Sequence, residues 1–580
     1  MTESRKRILR VLFYIGLLST AAFLLYLPSE LGAALTIPPD SSEYSICLAN
    51  LFEHGRFGFT LNGEWYPSRY APWFSLSCLT PAYFLGAGNV LCMHWAILAF
   101  ALVLLGAIWR IGSMLGLGKL AALPPILLMF MPDFVFYSRV VMTEIPYAAL
   151  FVILALVFVR FVNREQITVM SCLGIGSLVA WSGLVRSTGF ALIVPFAVVV
   201  FFKRLTLKRK IALIVTMVVP IAIAEVISLA YNWMVFGSPF RSGYNYWMPV
   251  PCDFPSLMFS WDYVVRALGY FYKQLIIRIT LLFIGASLAV ALYFMGKRFW
   301  GKWKDFLFLE VFVVFHALVL LVLYLGYYWV DTRFFLSITI VAVPLFFAAV
   351  NGFLSGVASR LRLLLMVLIA LLSFLAIANA PSRYTYMLVG RPVWLCEAQI
   401  SGKVLPSGSV VLQKGDSNVL DYFGLRSKNL IVFHKNRRCF DYVSQMTAPK
   451  RITNLVETPK SILPLVIPKL VDSGVCGMPF PVVFDERPEK VGEYISQGRR
   501  VFFLQDMFFR EEYEEFKESV ENMGFTLKLF GVWNVPEVAP NPIRHLYDRL
   551  LFPGYSMDSR PEITVAYYEV VPVDKLPTSP

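Results

Sequence analysis

The chain has 580 residues, of which 57% are hydrophobic and only 16% charged, and its formal net charge is +14. Soluble proteins carry about 25% charged residues, so a body this apolar lacks the polar surface that water demands, and a soluble globular class is excluded. In a soluble chain a charge of +14 would suggest nucleic acid. Here the basic clusters sit in short loops between apolar runs, the pattern of a membrane protein with positive loops inside, so no nucleic acid partner is expected.

Runs of about 20 apolar residues, enough to cross a bilayer, lie near 8–27, 88–109, 119–137, 143–161, 167–184, 186–202, 211–233, 272–296, 305–328, 333–355 and 361–380. The first lacks a small-residue cleavage site and reads as a retained span. The pair around Trp181–Arg186 is short and closely spaced. Arg5, Lys6, Arg7 and Arg10 precede the first run; Arg160 and Arg164 follow the fourth, and Lys203, Arg204, Lys208, Arg209 and Lys210 the sixth; Arg360 and Arg362 precede the last. These clusters share one side only if the number of spans is odd, and that side is the cytoplasm. The expected fold is therefore a polytopic α-helical membrane protein with about 11 transmembrane helices over residues 1–380, its N-terminus cytoplasmic.

The opposite side carries two long loops, 28–87 and 236–273, rich in Trp, Tyr, Pro and Gly. Residues 381–580 change character: strands are expected at 410–413, 430–433, 482–484, 501–504 and 564–571, and an exposed helix over 510–522. That alternation predicts an extracytoplasmic soluble α/β domain. The eight cysteines include no CxxC pair, which speaks against zinc. Cys439 and Cys476 fall in this domain, where spacing alone does not establish a disulfide.

Pro38 and Pro39 stop the chain ahead of a new helix, capped by Ser41 or Ser42, in which Tyr44, Cys47, Leu48, Leu51 and Phe52 recur at helical spacing. This predicts an amphipathic helix in the membrane interface. Asp40 and Glu43 stand at its start, where two carboxylates serve either as helix caps or as reactive acids. Glu144 lies where the chain re-enters the membrane, five residues after Arg139, and the two read either as a functional pair or as an exposed interfacial ion pair. Asp331-Thr332-Arg333 and Arg186 fall on the same side. Arginine binds phosphate through paired donors, and a carboxylate deprotonates a hydroxyl. The combination suits transfer of a group from a lipid phosphate to a hydroxyl.

The segments PDSSEY (39–44), YPSRYAPWFSLSCLTP (66–81), SRVVMTEIPYAAL (138–150), VRSTGF (185–190), YNWMVFGSPFRSGY (231–244) and VDTRFFLSITIVAVP (330–344) resemble, in order and placement, the GT-C glycosyltransferases, membrane enzymes that use polyprenyl-phosphate sugars. The nearer likeness is to the branch of protein O-mannosyltransferases and lipid A aminoarabinose transferases. Two serines separate the first acids where the mannosyltransferases have adjacent Asp-Glu, and Ser68-Arg69 follows Tyr66-Pro67 where many relatives have Pro-Gly. The resemblance implies inverting transfer from a polyprenyl-phosphate-linked donor to a glycan, lipid or protein hydroxyl at the outer face of a bacterial inner membrane. It implies Asp40 as general base, with Glu43 and Glu144 positioning base or acceptor. Arg139, Arg186 and Arg333, with Arg69 and Tyr70, would hold the donor phosphate. No cofactor is expected, with a divalent metal held by the acids as the variant. The C-terminal domain would recognise the acceptor or cover the site; it has no GxGxxG run that would mark a nucleotide site. The competing class is a transporter or flippase of a lipid-linked sugar, which would place acids deep in the spans; Glu225 is the one acid read there.

Overall fold

In lipid every backbone N–H and C=O must be satisfied within the chain, so the apolar runs fold as helices. The structure, a computed structural model, describes residues 40–61, 64–247, 259, 261–296, 300–327, 330–378, 404–414, 430–435, 489–506, 510–534 and 564–573. The expected span at 8–27, the expected strand at 482–484, and Cys439 and Cys476 lie outside the described residues.

The helices run α1 (Asp40–His54), α2 (His94–Met114), α3 (Leu123–Met129), α4 (Pro132–Arg139), α5 (Glu144–Asn163), α6 (Val169–Val185), α7 (Ile193–Phe202), α8 (Leu207–Phe236), α9 (Trp261–Lys273), α10 (Leu275–Gly296), α11 (Trp300–Leu325), α12 (Leu336–Phe353) and α13 (Ser359–Ala378). Among the described residues six helices are long and apolar enough to cross a membrane, or eight if each of two bent pairs counts as one span. One bent pair is the run expected as a single span at 119–137: it breaks by 66° between Met129 and Pro132. Pro132 supplies no N–H, and Met131 before it is extended (φ −79°, ψ 118°). The other pair puts Tyr263–Lys273 at 86° to the helix that follows. The two closely spaced runs around Arg186 form α6 and the apolar helix Ser187–Phe202, both shorter than 18 residues.

Burial orders the bundle. The most apolar windows of α5 and of Thr332–Phe353 are 72% and 78% buried within the protein, against 17% for α8 and α13. The first two are therefore central, and the last two turn most of their surface to lipid. Far from Glu144, Lys203 donates to the carbonyls of Val162 (3.0 Å) and Arg164 (2.7 Å), and Asn163 donates to Asp305 (2.6 Å). The ends of α5 and α7 and the start of α11 thus meet at the basic end of the bundle. Glu225 is exposed on α8, whereas Glu310 on α11 is fully buried and accepts from Ser287 (2.9 Å); the deepest acid is not the one the run of spans suggests.

Beyond the bundle, β3 (Val410–Lys414), β4 (Leu430–Lys435), β5 (Val501–Asp506), β6 (Phe525–Asn534) and β7 (Thr564–Pro572) form one sheet in the order β4-β3-β5-β7-β6. β3 pairs in parallel with β4 and β5, and β7 runs antiparallel to β5 and β6. Strand alternation divides its core. Val410, Leu412, Val501, Phe503 and Val570 pack with Val491, Phe516 and Val520 of α14 (Glu489–Ser496) and α15 (Arg510–Glu521). Val411, Phe502, Leu504, Val565 and Tyr567, on the other face, join the apolar core that runs through the helices. β6 was not expected from the sequence because a register shift between Leu529 and Gly531 interrupts its alternation.

Where α6 crosses α8, a Cβ at Gly176 would lie 2.2 Å from the Met217 carbonyl oxygen, while one at Gly174 would meet nothing. Small residues let membrane helices approach closely. Gly176→Leu is expected to force the helices apart at a cost of about 1–3 kcal/mol and lower the melting midpoint of the detergent-solubilised protein, whereas Gly174→Leu leaves it unchanged. Equal midpoints for the two variants would remove this crossing from the packing core.

Candidate active site

α1 starts at Asp40 and carries Asp40 and Glu43 in its first turn, where free helix N–H groups favour negative charge. It does not lie free in the interface as its pattern suggested, for every residue from Ser41 to Asn50 is buried. The short hydroxyls of Ser41, Ser42 and Ser45 leave its polar face slim enough for the protein to cover.

The chain then returns through the hairpin of β1 (Gly58–Leu61) and β2 (Glu64–Pro67), within the long loop expected at 28–87. Asn50 donates to the Gly58 carbonyl (2.8 Å) and fastens the hairpin to α1. β2 thereby delivers Ser68, Arg69 and Tyr70 onto the two acids. The Arg69 backbone N–H (2.6 Å) and the Ser68 hydroxyl (3.3 Å) both donate to Glu43 Oε1. Arg69 Nη2 lies 2.8 Å from Asp40 Oδ1 and 3.5 Å from Glu43 Oε2. The Tyr70 hydroxyl donates to Asp40 Oδ1 (2.6 Å). Gly243 explains part of the 231–244 motif: a Cβ there would fall 2.2 Å from the Ser68 carbonyl oxygen. Only glycine lets that turn rest on the Ser68–Arg69 backbone, and Tyr244 then closes edge-on against Tyr70, 5.7 Å between centroids.

The second half of the site comes from the central helices. Asp331 caps the turn Thr332–Phe335 by accepting from the Arg333 N–H (3.1 Å) and the Thr332 hydroxyl (3.3 Å), a role that suits a short acid at a helix start. The turn aims Arg333 at two carboxylates, with Nη1 3.0 Å from Asp40 Oδ2 and Nε 3.9 Å from Glu144 Oε1. Arg186 projects from extended backbone at the end of α6 (φ −153°, ψ 121°) and brings Nη2 to 3.7 Å from the same Glu144 oxygen. Its guanidinium lies over Tyr147 (5.8 Å) and Phe334 (5.2 Å).

Seven of the eight residues singled out from sequence, Asp40, Glu43, Arg69, Tyr70, Glu144, Arg186 and Arg333, therefore form one connected group. Arg139, the eighth, is 1% exposed at the end of α4, and Glu144 is 2% exposed. The exposed interfacial pair that one reading allowed is thus corrected: both side chains are enclosed by protein. The side chains of Arg69, Arg186 and Arg333 keep 13%, 14% and 17% exposure, so these three still present cationic surface and Arg139 does not. Ser68, Tyr147, Thr188 and His316 join the arrangement without having been singled out. Of these, Tyr147 carries a sequence signal, since it stands three residues after Glu144 on one helix face.

Burial alone would raise the Asp40 carboxyl, but Arg333 and then Arg69 beside it, helped by the Tyr70 hydroxyl, hold it below the ordinary carboxylate value. Burial pushes Tyr44 and Tyr70 well above the ordinary phenol value, so both stay protonated. Asp40 is thus an ionised carboxylate with one hydrogen-bonded oxygen on each side. Among the described residues no group of three His, Cys, Asp or Glu gathers as a metal-binding cluster; the carboxylates of this site face guanidinium groups.

The sequence matches no protein-family model and no curated protein. Solved structures do match. ArnT from Cupriavidus metallidurans bound to undecaprenyl phosphate superposes with a TM-score of 0.51 at 10% identity, over 96% of this chain and 97% of that one. Its apo form gives 0.50 at 10% identity over 98% of each chain. The apo oligosaccharyltransferase of Archaeoglobus fulgidus gives 0.44 at 12% identity, over 73% of this chain and 64% of that one. At such identity the likeness is one of fold, and the chain has the GT-C glycosyltransferase fold.

Glu43 is fully buried and answers both the backbone and the side chain of Arg69. Glu43→Ala is expected to destabilise the protein by about 3 kcal/mol, because it leaves an enclosed guanidinium short of one counter-charge. Glu43→Gln, whose amide oxygen still accepts from the Arg69 N–H, recovers part of the loss. Thermal melts in detergent compare the two, and an unshifted Glu43→Ala midpoint would make this acid dispensable to the fold.

Proposed function

We propose that this chain transfers a sugar, with inversion, from a polyprenyl-phosphate-linked donor to a hydroxyl of a glycan, lipid or protein acceptor. The observation that carries the reading is the single cation Arg333 shared between Asp40 and Glu144, with Arg69 and Tyr70 on the other oxygen of Asp40. A candidate base and several cations suited to phosphate thereby gather at one largely buried site. The fold likeness to an ArnT solved with undecaprenyl phosphate supports the donor class.

Asp40 is the general base in this reading. It takes the acceptor proton while the hydroxyl oxygen attacks the anomeric carbon from the side opposite the lipid phosphate, so the configuration inverts. The bond to the phosphate oxygen breaks, and the electron pair leaves on the polyprenyl phosphate. Arg333, Arg69 and Arg186 receive that charge. Glu144 holds Arg333 and Arg186 in place, Glu43 holds Arg69, and Arg139 supports the fold around Glu144. Charge stabilisation comes from arginine, so chelators should leave the rate unchanged. Loss of transfer on chelation, restored by a divalent cation, would assign a metal to the acids instead.

In this reading the site faces the extracytoplasmic side of an inner membrane with the N-terminus inside, an orientation that the positive-inside pattern of the basic loops supports. That puts the proposed C-terminal domain, residues 381–580, outside next to the acceptor path, with one face of its sheet packed on its own helices and the other continuing into the core of the bundle.

The purified protein in nanodiscs, given a panel of polyprenyl-phosphate sugars and membrane extract as acceptor, should label an acceptor. Asp40→Asn should lose about 10²–10⁴-fold in rate while staying folded. Lipid-linked sugar crossing a liposome bilayer equally with both proteins, and no transfer by either, would replace the enzyme by a flippase. The pH profile checks the base. With Asp40 held below the ordinary value of about 3.9, the wild type shows no acid limb from this group above that pH. Arg333→Gln removes the foremost lowering charge and lets burial dominate, so the limb of the residual activity moves upward. A limb that stays put would take the base role from Asp40.

A further inference from the structure

The transfer reading leaves one buried polar chain unused. Tyr147 lies in the first turn of α5, three residues beyond Glu144, and is 1% exposed. Its hydroxyl accepts from the Thr188 hydroxyl (3.1 Å) and stands 3.2 Å from His316 Nε2. The Tyr147 hydroxyl thus links the Thr188 hydroxyl to His316 Nε2, with the direction of the second bond set by the ring tautomer. His316 is fully buried on α11 and packed against the Phe151 ring at 4.5 Å, one turn beyond Tyr147. Three elements are thereby tied through one hydroxyl: α5, α11 and the turn Ser187–Leu192.

The geometry points to His316 and Tyr147 as positioning residues that set Arg186 and Glu144 for the donor phosphate. Thr188 stands two residues after Arg186, in the turn that begins where the extended Arg186 backbone leaves α6. Fixing Thr188 fixes the point from which the guanidinium projects. The Tyr147 ring lies under that guanidinium at 5.8 Å, so the same side chain that holds the turn also bears on the cation. Glu144, in the same first turn of α5, meets Arg186 at 3.7 Å. A histidine in the middle of an apolar helix costs desolvation, and here its Nε2 bonds the one hydroxyl that links the turn carrying Arg186 to the helix carrying Glu144. Neither residue touches the reacting atoms.

This inference rests on the proposed role of Arg186 toward a lipid phosphate, so its test reads binding as well as turnover. Undecaprenyl phosphate is the probe, titrated against the full chain in nanodiscs, with donor KM and kcat measured beside it. His316→Leu and Tyr147→Phe should each raise the probe's Kd and the donor KM, and lower kcat/KM by about tenfold to a hundredfold, the scale of a misplaced catalytic group. His316→Gln, whose amide can still hydrogen-bond the Tyr147 hydroxyl, should restore most of both. The double variant should be no worse than the poorer single one, since both act on one strut. A purely structural role would reduce the amount of active protein and leave Kd and KM at wild-type values, and that result overturns the strut. If the wild type binds the probe but transfers no sugar, while His316→Leu still weakens binding, the strut stands and the transferase reading falls. If the wild type does not bind the probe, both fall.

Discussion

Arg333 reaches two carboxylates that come from distant parts of the chain, Asp40 on the first described helix and Glu144 at the head of the central one. Buried charges stay buried only if they are paired and hydrogen-bonded. Each of the acids Asp40, Glu43 and Glu144 meets at least one of the arginines Arg69, Arg186 and Arg333. Acids and arginines thus answer one another across the site, and the elements that carry them must come to one end of the bundle. Other features follow from that need. α5 and the Thr332–Phe353 helix are the most buried because they hold Glu144 and Arg333; the hairpin folds back because Arg69 must reach the start of α1.

The spans could be read from the sequence because lipid imposes a length and an apolar composition that any long run displays. What could not be read is where a run breaks. Pro132 divides one expected span, and the strand pair at Gly58–Leu61 and Glu64–Pro67 is too short to stand out in an aromatic-rich loop. In the C-terminal region four of the five described strands were visible as short apolar runs, while Phe525–Asn534 hid behind a bulge.

The site was legible as residues and not as a network. Asp40, Glu144, Arg186 and Arg333 attract notice because ionisable groups at the ends of apolar runs are costly. Yet Asp40 and Arg333 are 293 positions apart, and nothing in the sequence says which cation serves which acid. Arg139 stands near Glu144 in sequence but is enclosed, while Arg69, from a distant loop, holds Asp40 directly. His316 was silent for the opposite reason. A single histidine within an apolar run looks like a core residue, and only the Tyr147 hydroxyl gives it a partner that matters.

The charge balance also bears on how a base held so firmly as an anion can work. In the proposed transfer the donor, a polyprenyl-phosphate sugar, is a phosphodiester and brings one negative charge to the Asp40–Arg333 contact. In that proposed reaction the acceptor proton arrives on Asp40 and cancels its charge, while the leaving polyprenyl phosphate gains one. The total stays the same, but negative charge moves from Asp40 to the phosphate. Arg333 already touches Asp40, and a neutral carboxyl holds a guanidinium far less strongly than a carboxylate does. Proton transfer therefore loosens the cation at the step where the leaving group needs it. In the free protein the same contact keeps Asp40 a weak base, so its strength as a proton acceptor rises only when an anionic donor competes for Arg333. Deprotonation of the acceptor is tied in this way to the presence of the lipid phosphate, through one arginine shared between the base and the leaving group.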